Sequence, residues 1–210
     1  MVFLMVLPTI FGALLLVALL WGDWYQFTSL QGGSSRAGVG VAKRADRIAG
    51  CSCSLLKTQF DQQGWLQLPH GVARWFQDQS IIVIRPSYQF FSMRFRTAWP
   101  LKGTIDVKVE DEGILFQLVK RMPWSSALLT MIWLLVVLIG TLTYLGMFVW
   151  NGGFESAGGV MLALGILALG VLVLVFGLVL VSLAYRLEDR RLMQVYQELR
   201  ERLEPGTLSN

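Results

Sequence analysis

The side chains best suited to chemistry in this chain are few: one histidine, His70, and two cysteines, Cys51 and Cys53. A thiolate nucleophile needs a base, and the base needs an orienting group, all within hydrogen-bond reach. Cys51 or Cys53, His70 and the carboxylates Asp61 and Asp78 are the set from which such a site could be built. A Cys-x-Cys pair also suits a soft metal, with His70 as a third ligand. No second cysteine pair or histidine completes a tetrahedral site, so neither metal nor cofactor is expected. The one-residue spacing is rarely bridged, and the two thiols are expected to stay reduced in a cytoplasmic setting. Ile48-Ala49-Gly50-Cys51 resembles a lipoprotein signal, but Lys43, Arg44 and Arg47 separate it from any apolar run. The Gly/Ser-rich stretch from Ser29 to Gly40 has neither a P-loop ending nor a dinucleotide glycine pattern.

The elements that would position these groups are dominated by lipid-like sequence. The chain of 210 residues is 54% hydrophobic and only 15% charged, against about a quarter charged in a soluble domain. Three stretches carry no charge over spanning length: Val2–Trp21, Ala127–Trp150 and Gly158–Tyr185. A helix needs roughly 20 apolar residues to cross a bilayer, and backbone groups in lipid must pair within the segment. Residues 1–21 are therefore expected to form transmembrane helix 1, and residues 124–185 a hairpin of spans 127–150 and 158–185. Trp21, Trp24, Tyr25, Trp124, Trp150 and Tyr185 bracket the spans as interfacial aromatics do. The first run lacks basic residues and a small-residue cleavage site, so it reads as a retained helix and not a signal peptide.

Orientation follows from Lys and Arg near the span ends. The loop 151–157 contains only Glu155, whereas Lys120 and Arg121 precede the second span and Arg186, Arg190 and Arg191 follow the third. The expected topology is N-terminus outside, with the central segment and the C-terminus cytoplasmic, in the inner membrane if the source is bacterial.

Residues 22–52 read as a Gly/Ser-rich basic linker. Lys43, Arg44 and Arg47, with Lys120 and Arg121, are candidate contacts to lipid headgroups, each attracted by about 1 kcal/mol to an anionic surface. From residue 53 to 123 the pattern shifts to alternation, the mark of half-buried strands. Trp65–Leu68, Ile81–Ile84, Phe91–Thr97, Thr104–Glu110 and Ile114–Lys120 are the candidate strands, and an antiparallel domain of four to six strands is expected. Trp65, Trp75, Phe76, Phe90 and Trp99 are its candidate core aromatics. Arg85, Arg94, Arg96, Lys102 and Lys108 interleave with aromatics as in single-strand binders, but the basic excess is small and no nucleic-acid partner is expected.

Helix three carries Ala163, Gly170, Gly177 and Ala184 at intervals of seven, with Gly159 beside them, a stripe where backbones can approach closely. Gly140 and Gly146 are its candidate partial complements on helix two, with Thr130, Thr141 and Thr143 as candidate hydrogen-bonding groups. Residues 186–204 read as a separate amphipathic cytoplasmic helix, closed by Pro205-Gly206. Its stripe of Leu192, Val195, Tyr196, Leu199 and Leu203 must bury itself on the β-domain, the membrane or a partner helix; protein contact is favoured, and the stripe is assigned as a partner-helix face.

The fold expected is thus an α+β integral membrane protein: three transmembrane helices, a small antiparallel β-rich cytoplasmic domain between helices 1 and 2, and an amphipathic C-terminal helix. The spans contain no ionisable residue, which argues against a pump or transporter acting alone. The function expected is a non-catalytic membrane subunit that makes protein contacts in a larger complex, with the bilayer and other membrane subunits as partners. The alternatives are a lipid- or ligand-binding sensor domain, or an enzyme using Cys51, Cys53 and His70.

Overall fold

A computed structural model describes residues 2–49, 53–87, 97–110 and 113–204. Helix α1 (Val2–Thr28) leads through a 3-10 turn at Gly32–Ser34 into strand β1 (Val39–Ala49) and a short helix α2 (Cys53–Gln59). Strands β2 (Trp65–Leu68), β3 (Gly71–Phe76), β4 (Ile81–Pro86), β5 (Lys102–Glu110) and β6 (Gly113–Met122) follow. Two long helices, α3 (Trp124–Trp150) and α4 (Ala157–Leu203), complete the chain.

The six strands form one antiparallel sheet in the order β1-β6-β5-β4-β3-β2. Side chains alternate between its faces. One face carries Ala73, Trp75, Ile82, Ile84, Ile105, Phe116 and Leu118, all buried. Against it lie Leu192, Val195, Tyr196, Leu199 and Leu203 of α4 and Leu56 and Phe60 around α2, one continuous core. Each large apolar side chain buried this way stabilises by roughly 1.5–3 kcal/mol. Gly71 marks a close approach of α4: a Cβ there would stand 2.5 Å from Val195 and 2.6 Å from the Arg85 carbonyl. The opposite face carries Val72, Arg74, Phe76, Ile81, Val83, Arg85, Lys102 and Thr104, and receives the end of α1.

Helices α1, α3 and α4 are each long and apolar enough to cross a membrane. Helices α3 and α4 pack antiparallel, and the small-residue stripe sits between them. Ala163, Gly170, Gly177 and Ala184 are buried, while Leu169, Leu172 and Phe176 point away. A Cβ on Gly170 would stand 2.5 Å from Thr141, and one on Gly177 2.2 Å from the Trp133 ring. The complements are thus Thr141 and Trp133. Gly140 and Gly146, expected in that role, have nothing within 4 Å of where a Cβ would lie. Gly159 sits in the first turn of α4, where its N–H donates to the Ser156 Oγ cap at 3.1 Å.

Three sequence expectations are corrected. The described part of the expected linker 22–52, residues 22–49, is not a linker: it holds the end of α1 and the eleven-residue strand β1, paired with β6 along its length. β1 escapes the alternation rule because its register shifts between Gly40 and Ala42 and because it lies at the sheet edge. Edge strands commonly carry charge that blocks further pairing, and Lys43, Arg44 and Arg47 are on this one. The first helix does not stop at Trp21 but runs to Thr28. The tail helix is not separate: α4 is one helix of 47 residues, about 70 Å long at 1.5 Å per residue. No glycine or proline falls between Tyr185 and Glu204 to interrupt it. Strands read at Trp65–Leu68, Ile81–Ile84, Thr104–Glu110 and Ile114–Lys120 are present. The reading at Phe91–Thr97 falls almost wholly outside the described residues, as do Phe90, Cys51 and the Pro205-Gly206 stop.

Candidate functional site

The polar feature with the most built geometry is the seat of α1 on the sheet. The last carbonyls of a helix have no partner within it, and they carry the negative end of its dipole. The last turn of α1 supplies no basic residue of its own. The sheet supplies them instead. Lys102 on β5 donates from Nζ to the Phe27 carbonyl at 3.2 Å and the Ser34 carbonyl at 2.8 Å. Arg85 on β4 donates from Nη1 to the Thr28 carbonyl, and Arg74 on β3 to the Leu30 carbonyl. Arg121 on β6 reaches the Gly38 carbonyl at 3.1 Å, and the Thr104 hydroxyl the Ser35 carbonyl at 2.8 Å.

These cations share one sheet face by register: Arg74 lies opposite Val83, two residues before Arg85, and Lys102 lies opposite Arg121. The charged groups of Lys102 and Arg74 stand over aromatic rings. The Lys102 ammonium stands 4.6 Å from the Phe27 ring centre, and the Arg74 guanidinium 4.7 Å and 5.0 Å from Trp65 and Phe76. Lys102 is fully buried. Burial, reinforced by the neighbouring charges of Arg121 and Arg85, pulls its pKa down to about 8.

A second polar contact ties α4 to the turn between β2 and β3. The His70 backbone N–H donates to Glu198 Oε2 at 3.1 Å, and its Nδ1 meets Glu198 Oε1. The histidine is thereby partnered by a residue 128 positions away, a pairing that no sequence motif announces. Asp61, a candidate to orient it, accepts instead from the backbone N–H groups of Gln63 at 2.9 Å and Trp65 at 2.6 Å. Asp61 thus caps the turn into β2, and Asp78 lies in an exposed 3-10 turn. Cys53 opens α2. Among the described residues no group of three or more His, Cys, Asp or Glu could hold a metal ion.

The stripe assigned as a partner-helix face lies on the chain's own sheet. Leu192, Val195, Leu199 and Leu203 are fully buried there. Tyr196 donates to Asp46 Oδ2 at 2.8 Å, Asp46 also pairs with Arg44 at 2.7 Å, and burial with that hydrogen bond pushes the phenol pKa up. An apolar stripe alone does not choose among sheet, membrane and partner, because each can remove it from water.

The candidate headgroup contacts divide. Lys120 pairs with Asp189 of α4 at 2.5 Å and Arg121 holds Gly38, so both act within the protein. Lys43, Arg44 and Arg47 lie exposed on β1. Of the expected core aromatics, Trp75 is in the core, and Trp65 and Phe76 flank Arg74 on the other face. Trp99 donates from Nε1 to the Thr130 hydroxyl at 2.7 Å, fixing the loop before β5 to α3. The α1–α3 contact is equally local: Asp23 accepts from the Ser125 N–H at 2.8 Å in the first turn of α3.

The fold and seat define a mixed helix and antiparallel-sheet protein with three helices able to span a membrane. No protein-family model, curated protein or solved structure matches the chain.

Proposed function

We propose that this protein is a non-catalytic integral membrane subunit, a scaffold, assembly or regulatory component that makes protein contacts within a larger complex. The observation that carries this reading is the seat of α1. Lys102 and Arg85 hold the last carbonyls of one apolar helix, Arg74 and Arg121 hold the segment that follows it, and α3 follows directly from β6. The sheet thereby acts as a frame that sets the position of a lone helix against a packed hairpin. Phe11, Leu14, Leu16 and Leu19 of α1 remain exposed, available to lipid or to helices of other subunits. Under this reading the sheet and the C-terminus are cytoplasmic and the N-terminus is outside, as the Lys and Arg distribution requires. The membrane helices, and not the stripe on the end of α4, make the partner contacts.

Purification of the full chain from its native membrane in mild detergent tests the proposal. Partner proteins in fixed stoichiometry are the expected result, and a clean single species would overturn it. A reporter fused after Asn210 should be active only in the cytoplasm; activity on the other side would reverse the orientation.

A further inference from the structure

Helix α4 changes character along one face just where its apolar stretch ends. Leu187, Arg190, Arg191 and Gln194 are spaced three and four apart, so they share a face, and together with His70, Pro86 and Ser87 they line a cavity of about 220 Å³. Going back along the same face come Leu183, Leu180 and Phe176, which are 52%, 46% and 61% exposed. The face therefore runs from bare apolar surface, through two guanidinium groups, to the amide of Gln194 and the Glu198–His70 contact.

The charges divide unevenly in this cavity. Arg191 pairs with the buried Glu188 at 3.0 Å, and Glu198 is occupied by His70. Arg190 is exposed and makes no ion pair among the described residues. It stands five residues past Tyr185, about 7.5 Å along the helix, a depth comparable to the headgroup layer on each side of the hydrocarbon core.

We infer that the cavity between α4 and the β2–β3 turn binds the phosphate of an anionic phospholipid, with Arg190 as its principal cation. The hydroxyl of Ser87 and the amide of Gln194 offer hydrogen bonds to the ester and glycerol oxygens. The acyl chains rise past Leu187 along Leu183, Leu180 and Phe176. A phospholipid matches both halves of this face, whereas a free phosphate uses only the polar half. The site is distinct from the basic positions on β1, which lie at the far edge of the sheet from β2.

The inference rests on the helices entering a bilayer, and the experiment separates the two questions. Membranes containing the full chain are first washed with alkaline carbonate; release of the chain would overturn the membrane reading and this site with it. The detergent-purified protein is then titrated with phosphatidylglycerol or phosphatidylcholine, and bound lipid is counted by native mass spectrometry. One phosphatidylglycerol is expected to be retained in preference to phosphatidylcholine. Arg190→Gln should weaken that retention about fivefold, the effect of one cation near an anionic surface. Arg202→Gln, on the same helix but about two turns beyond the cavity, should leave it unchanged. Equal retention of both lipids, or full retention by Arg190→Gln, would overturn the site while leaving the membrane reading intact. Displacement of the lipid by millimolar inorganic phosphate would assign the cavity to free phosphate and overturn the lipid as its occupant.

Discussion

The two halves of α4 bury opposite kinds of residue with one continuous stripe. From Ala157 to Tyr185 the buried positions are Ala163, Gly170, Gly177 and Ala184, and the large side chains point outward. From Glu188 to Leu203 the buried positions include Leu192, Val195, Tyr196, Leu199 and Leu203, and the charged side chains other than Glu188 are half-buried or exposed. The helix is the same; the surroundings each half suits are not. In lipid there is no hydrophobic gain from hiding leucine, so close backbone packing decides the interface. In water the gain scales with apolar area removed, so the largest side chains go inside.

The comparison breaks most visibly at the core positions of the second half. Leu199→Ala should destabilise the sheet domain by about 2–5 kcal/mol, the usual cost of a buried leucine truncation. Leu172→Ala, at a position 64% exposed in the first half, should change stability by less than about 0.5 kcal/mol. Thermal unfolding of both variants in the same detergent reads the difference; equal losses would erase the distinction between the halves.

The seat of α1 joins an apolar helix to the sheet, and its buried lysine makes it sensitive to pH. Lys102 has a folded pKa of about 8 against 10.5 for a free side chain. Between these values the unfolded chain binds more protons, so folding stability rises with pH across that window and is flat in this respect below it. The rise amounts to at most about 3 kcal/mol. Lys102→Met should remove it. Tyr196 works in the opposite direction above pH 10, since its folded pKa is raised, so chemical denaturation at pH 7.5 and 9.5 gives the cleanest reading.

In the first half of α4 the sensitive change is an increase in size. Gly177→Leu drives a side chain into the Trp133 ring and should cost about 1–3 kcal/mol of hairpin stability. Gly165→Leu, with open space around it, should be tolerated. Cross-linking between cysteines placed on α3 and α4 would fall for the first variant only. The smallest effect is expected at the exposed Arg200–Glu204 pair, 2.7 Å apart. A double-mutant cycle there should return a coupling of about 0.3–0.5 kcal/mol that fades in high salt.

Strands with clean alternation and turn residues at their ends, such as Thr104–Glu110 and Ile114–Lys120, were legible because one face is buried and the other is not. β3 carries no such signal: Gly71, Ala73 and Trp75 form its inner face, and two of the three are too small to register as a hydrophobic period. β1 was hidden by its bulge and its charged edge. Of the seat on the sheet, the cations were visible as residues, but a sheet brings together positions 74, 85, 102 and 121 only through register.

By itself the sequence determined the three apolar helices, the antiparallel pattern between them and the close-packing stripe on α4, because each is a local period or a charge-free length. Tertiary structure alone decided where the α4 leucines are buried, which carbonyls the cations hold and that Glu198 partners His70. Those outcomes depend on which of several equally apolar or equally charged surfaces comes within contact distance, and that is fixed by the register of the sheet and the direction of a helix rather than by any neighbouring residue.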